Sequence, residues 1–188
     1  MGRYTAPMPE SPTVQQLRDE DVELVRLIDR SEHVDEEYEV AGGRLRRRPV
    51  TMAEIPGWEQ TGDGPHSVDA HIRFCREALE NGGRLLGAFL GEHLAGLAVV
   101  EPSFEPPLAR LTFLHVSRPY RRTGAGSVLW NSAAEMARDA QATRLYVSAT
   151  PTGSAVNFYL RHGCVLANPP HPALYALEPD DIHLIVAL

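Results

Sequence analysis

A mixed α/β (α+β) architecture around one central sheet is the fold class this sequence predicts, and three observations carry it. Short apolar runs bounded by turn residues recur through the second half of the chain, as strands do. Two segments between those runs carry apolar residues at helical spacing instead. The resulting order of strands, helix, strand, helix, strand fits helices packed on a single mixed sheet. With 188 residues, 43% of them hydrophobic, the chain can bury a real core.

Taken in order, Val22, Val25 and Ile28 form a stripe with Leu24 and Leu27 beside it, which predicts a helix over Asp21 to Arg30. Glu37 to Val40 and Arg44 to Val50 flank Ala41-Gly42-Gly43 as a β-hairpin. Pro56 to Pro65 is a loop rich in Gly and Pro. Ser67 is placed to cap a helix over Val68 to Leu79, and Asn81-Gly82-Gly83 to stop it. Leu85 to Leu90 and Leu94 to Val100 form a second hairpin around Gly91-Glu92-His93. Glu101 to Pro107, with three prolines, predicts a loop, and Arg110 to Val116 a strand. An amphipathic helix follows through Val128, Leu129, Ala133, Met136 and Ala137. Then come a strand over Arg144 to Ala149, a short helix over Ser154 to His162 closed by Gly163, and a last strand over Ile182 to Leu188.

Composition narrows the function. A formal charge of −7 argues against a nucleic-acid partner. All 18 basic residues are Arg, so Schiff-base chemistry and the lysine-dependent phosphate loop are excluded. Cys75 and Cys164 are read as buried small hydrophobes. The eight His are dispersed without metal-site spacing, so no metal is expected. The polar, proline-containing segment Met1 to Pro12 has no signal-type apolar run, and no stretch approaches the ~20 apolar residues needed to span a bilayer. A cytoplasmic protein without a membrane partner is the expectation.

The chemistry starts at Arg121-Arg122-Thr123-Gly124-Ala125-Gly126, between a strand ending in Val116 and a helix. Glycines let backbone N–H groups approach phosphate oxygens, the helix start adds unpaired N–H groups, and the arginines add charge with donors suited to phosphate. The alternative is a tight strand-to-helix turn with no ligand.

This run resembles motif A of the GNAT superfamily of acyl-CoA N-acyltransferases, with Arg121, Gly124 and Gly126 at its three defined positions. Downstream, Ala155-Val156-Asn157-Phe158-Tyr159 followed by His162-Gly163-Cys164 resembles the family's tyrosine helix. The phrases Leu114-His115-Val116-Ser117, Leu145-Tyr146-Val147-Ser148-Ala149-Thr150-Pro151 and Glu178-Pro179-Asp180-Asp181-Ile182-His183-Leu184 look like one bacterial sub-group. The resemblance implies a GNAT fold with a mixed sheet of about six to seven strands flanked by helices. It also implies one domain over 1–188, with 1–84 on the acceptor side and 85–188 forming the cofactor core. The implied activity is transfer of acetyl from acetyl-CoA to a small amine through a tetrahedral intermediate, with a homodimer allowed. Another acyl-CoA, a protein amine as acceptor, and a non-catalytic CoA-binding sensor stay open.

By resemblance, acetyl-CoA would lie on the backbone of Leu114, His115 and Val116 and on Arg121, Arg122, Thr123, Gly124, Ala125, Gly126 and Ser127. Tyr159, a phenol protonated at neutral pH, is the candidate acid, against the alternative of a core aromatic. His115 is the leading candidate base, ahead of Glu101 and His71. Two departures matter: Thr152 stands where many members carry a cofactor-contacting Asn, and Arg144 to Thr150 lacks the Glu that many use. Arg44, Arg46, Arg47 and Arg48 are read first as a solvated strand pairing with Glu36, Glu37 and Glu39, and otherwise as an anion patch. Ten of the 25 acidic residues fall between Asp19 and Glu39. They are either a field that concentrates a cationic amine or a solvated face offset by arginines.

Overall fold

The computed structural model describes residues 11–188, with backbone alone at 51 and 52; Met1 to Glu10 of the polar N-terminal segment lie outside the described residues. Nine strands and four α-helices are present among them: β1 (Thr13–Gln16), β2 (Glu32–Ala41), β3 (Arg44–Ile55), α1 (Val68–Glu80), β4 (Arg84–Leu90), β5 (His93–Glu105), β6 (Leu108–Val116), α2 (Ala125–Asp139), β7 (Arg144–Ala149), α3 (Gly153–Arg161), β8 (Val165–Leu166), α4 (Pro172–Leu177) and β9 (Ile182–Ala187). Seven strands form one mixed sheet in the order β1-β4-β5-β6-β7-β9-β8, and β2 and β3 form a separate hairpin. Within the large sheet β6 and β7 are the parallel pair, joined through α2 as a crossover; the other neighbours are antiparallel. The mixed sheet flanked by helices agrees with the predicted class. Among the described residues no helix is long and apolar enough to cross a membrane.

Two cores sandwich the sheet. On one face, Leu129, Trp130, Ala133 and Ala137 of α2 and Val156 and Tyr159 of α3 pack on Leu86, Ala98, Leu111 and Val147. On the other, Val22, Val25 and Ile28 join Val68, Ile72, Cys75 and Leu79 of α1 over Leu85, Leu97, Val99 and Phe113. Ser67 caps α1 by accepting from the Ala70 N–H at 3.1 Å.

Several expectations need correcting. The first helix is a 3-10 helix over Asp19–Leu27, ending before Arg30. Its buried residues Val22, Val25 and Ile28 recur every third position, which a helix of three residues per turn keeps in line, while Leu27 is left exposed. Glu101 to Glu105 is strand, and the turn falls at Pro106 and Pro107. Pro102 is tolerated because the β5–β6 register is interrupted between Glu101 and Glu105, where the ladder does not need its missing N–H. The strands β1 and β8 and the helix α4 are additions; each is short or largely polar, so no periodicity announces them. The arginine-rich strand pairs as expected, with Arg47 bridging Glu36 and Arg48 bridging Glu37, each at 3.0 Å.

One buried polar group stands out. Glu101 and Arg110, on neighbouring strands, are each below a tenth exposed, with Arg110 3.6 Å from Glu101 and 3.3 Å from Glu178. The Arg110 guanidinium also lies over the rings of Phe74 and Phe104 at 5.2 and 5.7 Å. Removing the cation alone strands a buried carboxylate, so Arg110→Ala is expected to cost about 3–5 kcal/mol in urea unfolding. The double variant Glu101→Gln with Arg110→Met is expected to recover most of that loss in the same measurement.

Candidate active site

The site begins with a misfit in the sheet. Along β5, Val99 faces Phe113 and Val100 faces Leu111, so Thr112 is an extra residue on β6. Such a bulge bends its strand and turns the following side chains to the other face. Leu111 accordingly lies in the α2 core and Phe113 in the α1 core. The Thr112 hydroxyl donates to the buried Glu101 carboxylate, which fixes the extra residue.

At the same point β6 leaves β7. Their ladder runs from Leu108↔Arg144 to Leu111↔Val147 and stops. The far edges stay paired, β6 to β5 as far as Val116 and β7 to β9 as far as Ala149. The gap opens into a cleft of about 1020 Å³, lined from Thr112 to Val116 on one side and from Ser148 to Thr150 on the other.

At one end of the cleft lies the glycine-rich turn. Gly124 has φ +95° and Arg122 φ +64°, both left-handed, and Gly124 caps α2. The N–H groups of Gly126 and Ser127, in the first turn, have no acceptor within the helix. A left-handed residue beside a right-handed one turns neighbouring N–H groups into a shared concavity. A Cβ at Gly126 would meet the Phe158 ring at 3.2 Å, so the backbone there is closely backed. The Arg121 side chain is spent inward: it donates to the Arg30 carbonyl at 2.9 Å and to the Val116 carbonyl at 3.3 Å, and pairs with Glu32 at 3.4 Å. Arg122 is exposed and has no ion-pair partner among the described residues. Thr123 turns its hydroxyl to the Tyr120 carbonyl, Ala125 is buried in the α2 core, and the Ser127 hydroxyl meets His162 at 3.3 Å.

Tyr159 is 6% exposed, beside Trp130 at 5.5 Å and Phe158 at 5.1 Å. It lines the cleft, and its hydroxyl has no hydrogen-bond partner among the described residues. Burial, with nearby Cys164, Asp181 and Glu178, pushes its pKa up, so the phenol keeps its proton. Thr152 also lines the cleft and caps α3 by accepting from the Ala155 N–H at 3.4 Å. Asn157 faces elsewhere: it accepts from the Tyr38 hydroxyl at 2.8 Å and donates to Glu36 at 2.9 Å, pinning the hairpin to α3.

On the α1 side, His115 packs against Phe113, Trp58 and His71 at ring distances of 4.8, 5.0 and 6.5 Å. Burial, helped by His71, Arg30 and Arg121, lowers its pKa to about 3, and burial lowers His71 to about 4. Both rings are neutral at physiological pH and weakly basic. Glu101 lies outside the cleft lining, committed to Arg110 and Thr112.

Sequence reading overlooked Asp181. It lines the cleft, and its carboxylate has no hydrogen bond or ion pair among the described residues. Burial, with Glu178 and Asp180 beside it, raises its pKa to about 7. Its signal sat in the Glu178-Pro179-Asp180-Asp181 phrase, which gave no hint of facing Tyr159. Of the ten acidic residues between Asp19 and Glu39, only Glu32 lines the cleft, and Arg121 holds it; Asp35 and Glu36 line a separate groove against α3. Among the described residues no group of three or more His, Cys, Asp or Glu is arranged for a metal ion.

Solved structures share this arrangement. A nourseothricin acetyltransferase superposes with a TM-score of 0.70 at 21% identity, covering 94% of this chain and 98% of its own. A Bacillus anthracis protein assigned as a streptothricin acetyltransferase, in complex with acetyl coenzyme A, gives 0.64 at 17% identity over 96% and 98%. PaiA N-acetyltransferase from Thermoplasma acidophilum, in complex with coenzyme A, gives 0.60 at 15% identity over 95% and 99%. At these identities the likeness is one of fold. No curated protein sequence matches the chain. The family model for the acetyltransferase (GNAT) family matches residues 50–164, and the chain belongs to that family. It is by class an N-acetyltransferase.

Asp181 sets a stability test. Its carboxyl is raised from 3.8 to about 7 on folding, so between those values the folded state binds the proton more tightly than the unfolded state. Stability then falls as pH rises across that window and levels off above it. Asp181→Asn is expected to raise the melting temperature at about pH 8, with the gain vanishing towards about pH 4.

Proposed function

We propose that the cleft transfers the acetyl group of acetyl-CoA to a small primary amine by direct attack, through a tetrahedral intermediate. The observation that carries this reading is the pair of unpaired inner strand edges between an anion cradle and the unpartnered hydroxyl of Tyr159. The free backbone groups of Leu114, His115 and Val116 would take the donor's extended arm as an added strand and polarise its carbonyl. The turn from Arg121 through Arg122, Thr123, Gly124, Ala125 and Gly126 to Ser127 would hold the pyrophosphate on backbone N–H groups, with Arg122 supplying free charge. Arg121 serves this turn by anchoring it to the segment from Arg30 to Glu32.

In this reading proton traffic divides between two walls. Asp181 takes the proton from the incoming amine, because its carboxylate is partnerless and titrates near neutrality. His115, held neutral, accepts a hydrogen bond from the amine and aims its lone pair at the carbonyl. Tyr159 gives its proton to the leaving thiolate. Residues 1–84 furnish most of the acceptor wall, residues 85–188 the donor wall, and Glu178 to Asp181 cross over to complete the acceptor wall.

Thiol release from acetyl-CoA over a panel of amines is the direct test. Tyr159→Phe is expected to lower kcat by roughly 10²-fold with little change in acetyl-CoA affinity. kcat/KM is expected to rise with pH through about 7, and Asp181→Asn to remove that rise. Gly126→Val, whose side chain must displace Phe158 or the ligand, is expected to weaken coenzyme A binding in calorimetry by roughly tenfold. Full turnover by Tyr159→Phe across the pH range would remove its role as acid.

A further inference from the structure

The α1 wall of the cleft holds a guanidinium with no counter-ion. Arg30 lines the cleft half-buried, donates through Nε to the Pro56 carbonyl at 3.2 Å, and lies over the Trp58 ring at 5.9 Å. It has no carboxylate partner among the described residues. Glu32, which lines the same cleft, is held by Arg121, and Asp29 is turned to the Ser31 N–H at 2.9 Å. Beside Arg30, the buried indole nitrogen of Trp58 and Nε2 of His71 also have no partner among the described residues, and the two rings lie 4.7 Å apart. His71 lines the cleft with Trp58 behind it, so the Arg30 guanidinium and the His71 ring are the polar groups of this corner that a ligand can reach, and the guanidinium calls for an anion. Phe74, Phe113 and His115 complete it with apolar ring surface. The same cleft is also lined by Glu178, Asp180 and Asp181.

From this layout we infer that the acceptor is an amino acid, its carboxylate held by Arg30 with His71 beside it, its apolar side chain on the ring surface, and its amine facing Asp181. The inference rests on the N-acetyltransferase reading of the cleft and narrows its amine. A planar guanidinium fits a carboxylate through two parallel N–H bonds. His115, on the strand edge where the acyl carbon would lie, has its ring 6.5 Å from that of His71, so a carboxylate held by Arg30 beside His71 leaves an amine a few bonds away within reach of the thioester. This replaces a cationic amine drawn in by the Asp19 to Glu39 carboxylates, which face away from the cleft except for Glu32.

The test compares L-phenylalanine and L-leucine with phenethylamine and isoamylamine, their decarboxylated counterparts. Calorimetry with the protein saturated in coenzyme A reads binding without turnover, and thiol release reads turnover. The wild-type protein is expected to bind the amino acids at least tenfold more tightly than the amines, in line with a charge-assisted pair. Arg30→Gln is expected to abolish that preference by weakening amino-acid binding at least tenfold, with a much smaller change in binding of the decarboxylated amines in the same calorimetry. Arg30→Lys, which keeps the charge and loses the fork, is expected to fall between them. Equal binding of both classes, or a preference that survives in a folded Arg30→Gln protein, overturns the proposal. Amino-acid binding lost on Arg30→Gln, with no thiol release from any amine, would instead uphold the anion site and overturn the transferase reading.

Discussion

The parting of β6 from β7 is the constraint on which the rest of the molecule depends. Parallel neighbours in a buried sheet normally satisfy each other's N–H and C=O groups, and a gap between them leaves those groups needing partners. The gap survives because each strand is fully paired on its outer edge, and because the extra residue Thr112 is tied to a buried carboxylate. Arg110 holds that carboxylate on one side and reaches Glu178 on the other. A network that reads as a structural ion pair thus links the bulge to the segment that carries Asp181. The unpaired edges are what an extended acyl donor would complete in the proposed reading, so the candidate site and the parting of these two strands are one feature.

Burial sorts the titratable groups of the cleft. Desolvation disfavours whichever form is charged, so it lifts carboxyl and phenol pKa values and lowers those of imidazoles. Tyr159 is kept protonated, Asp181 is brought to about 7, and His115 and His71 are kept neutral at about 3 and 4. One partly desolvated environment therefore holds a protonated phenol, a carboxyl that titrates near neutral pH and two uncharged imidazoles. Arg30, half-buried and without a carboxylate partner among the described residues, adds a charge that helps hold both imidazoles neutral.

Legibility in the sequence followed how local each signal was. The β4–β5 hairpin, α1 with its Ser67 cap, and α2 behind its glycine turn are written in residues close together, and their bounds came out within a few positions. Val22, Val25 and Ile28 were seen as a stripe, but a spacing of three serves an α-helix and a 3-10 helix alike over two turns. The bulge at Thr112 has no sequence mark at all, since it exists only relative to β5, and so the face that His115 takes was not decidable from alternation. Arg30 and Asp181 escaped notice for a related reason. Each looks like an ordinary loop charge until distant segments are folded beside it.

The acidic N-terminal stretch shows how misleading a charge count is without geometry. Glu23 meets Arg26 and Arg76, Asp21 meets Arg18, Glu36 meets Arg47 and Glu37 meets Arg48. These exposed pairs are screened and individually worth little, and they offset part of the charge that the count suggests. A charge that matters for recognition is one that the protein has left without a partner in a place where water is scarce. By that criterion the groups that count in the proposed reading are Arg30 and Asp181, which line the same cleft and come one from each end of the chain. Their opposite signs across a single cleft favour a ligand that carries both charges over one that carries either alone.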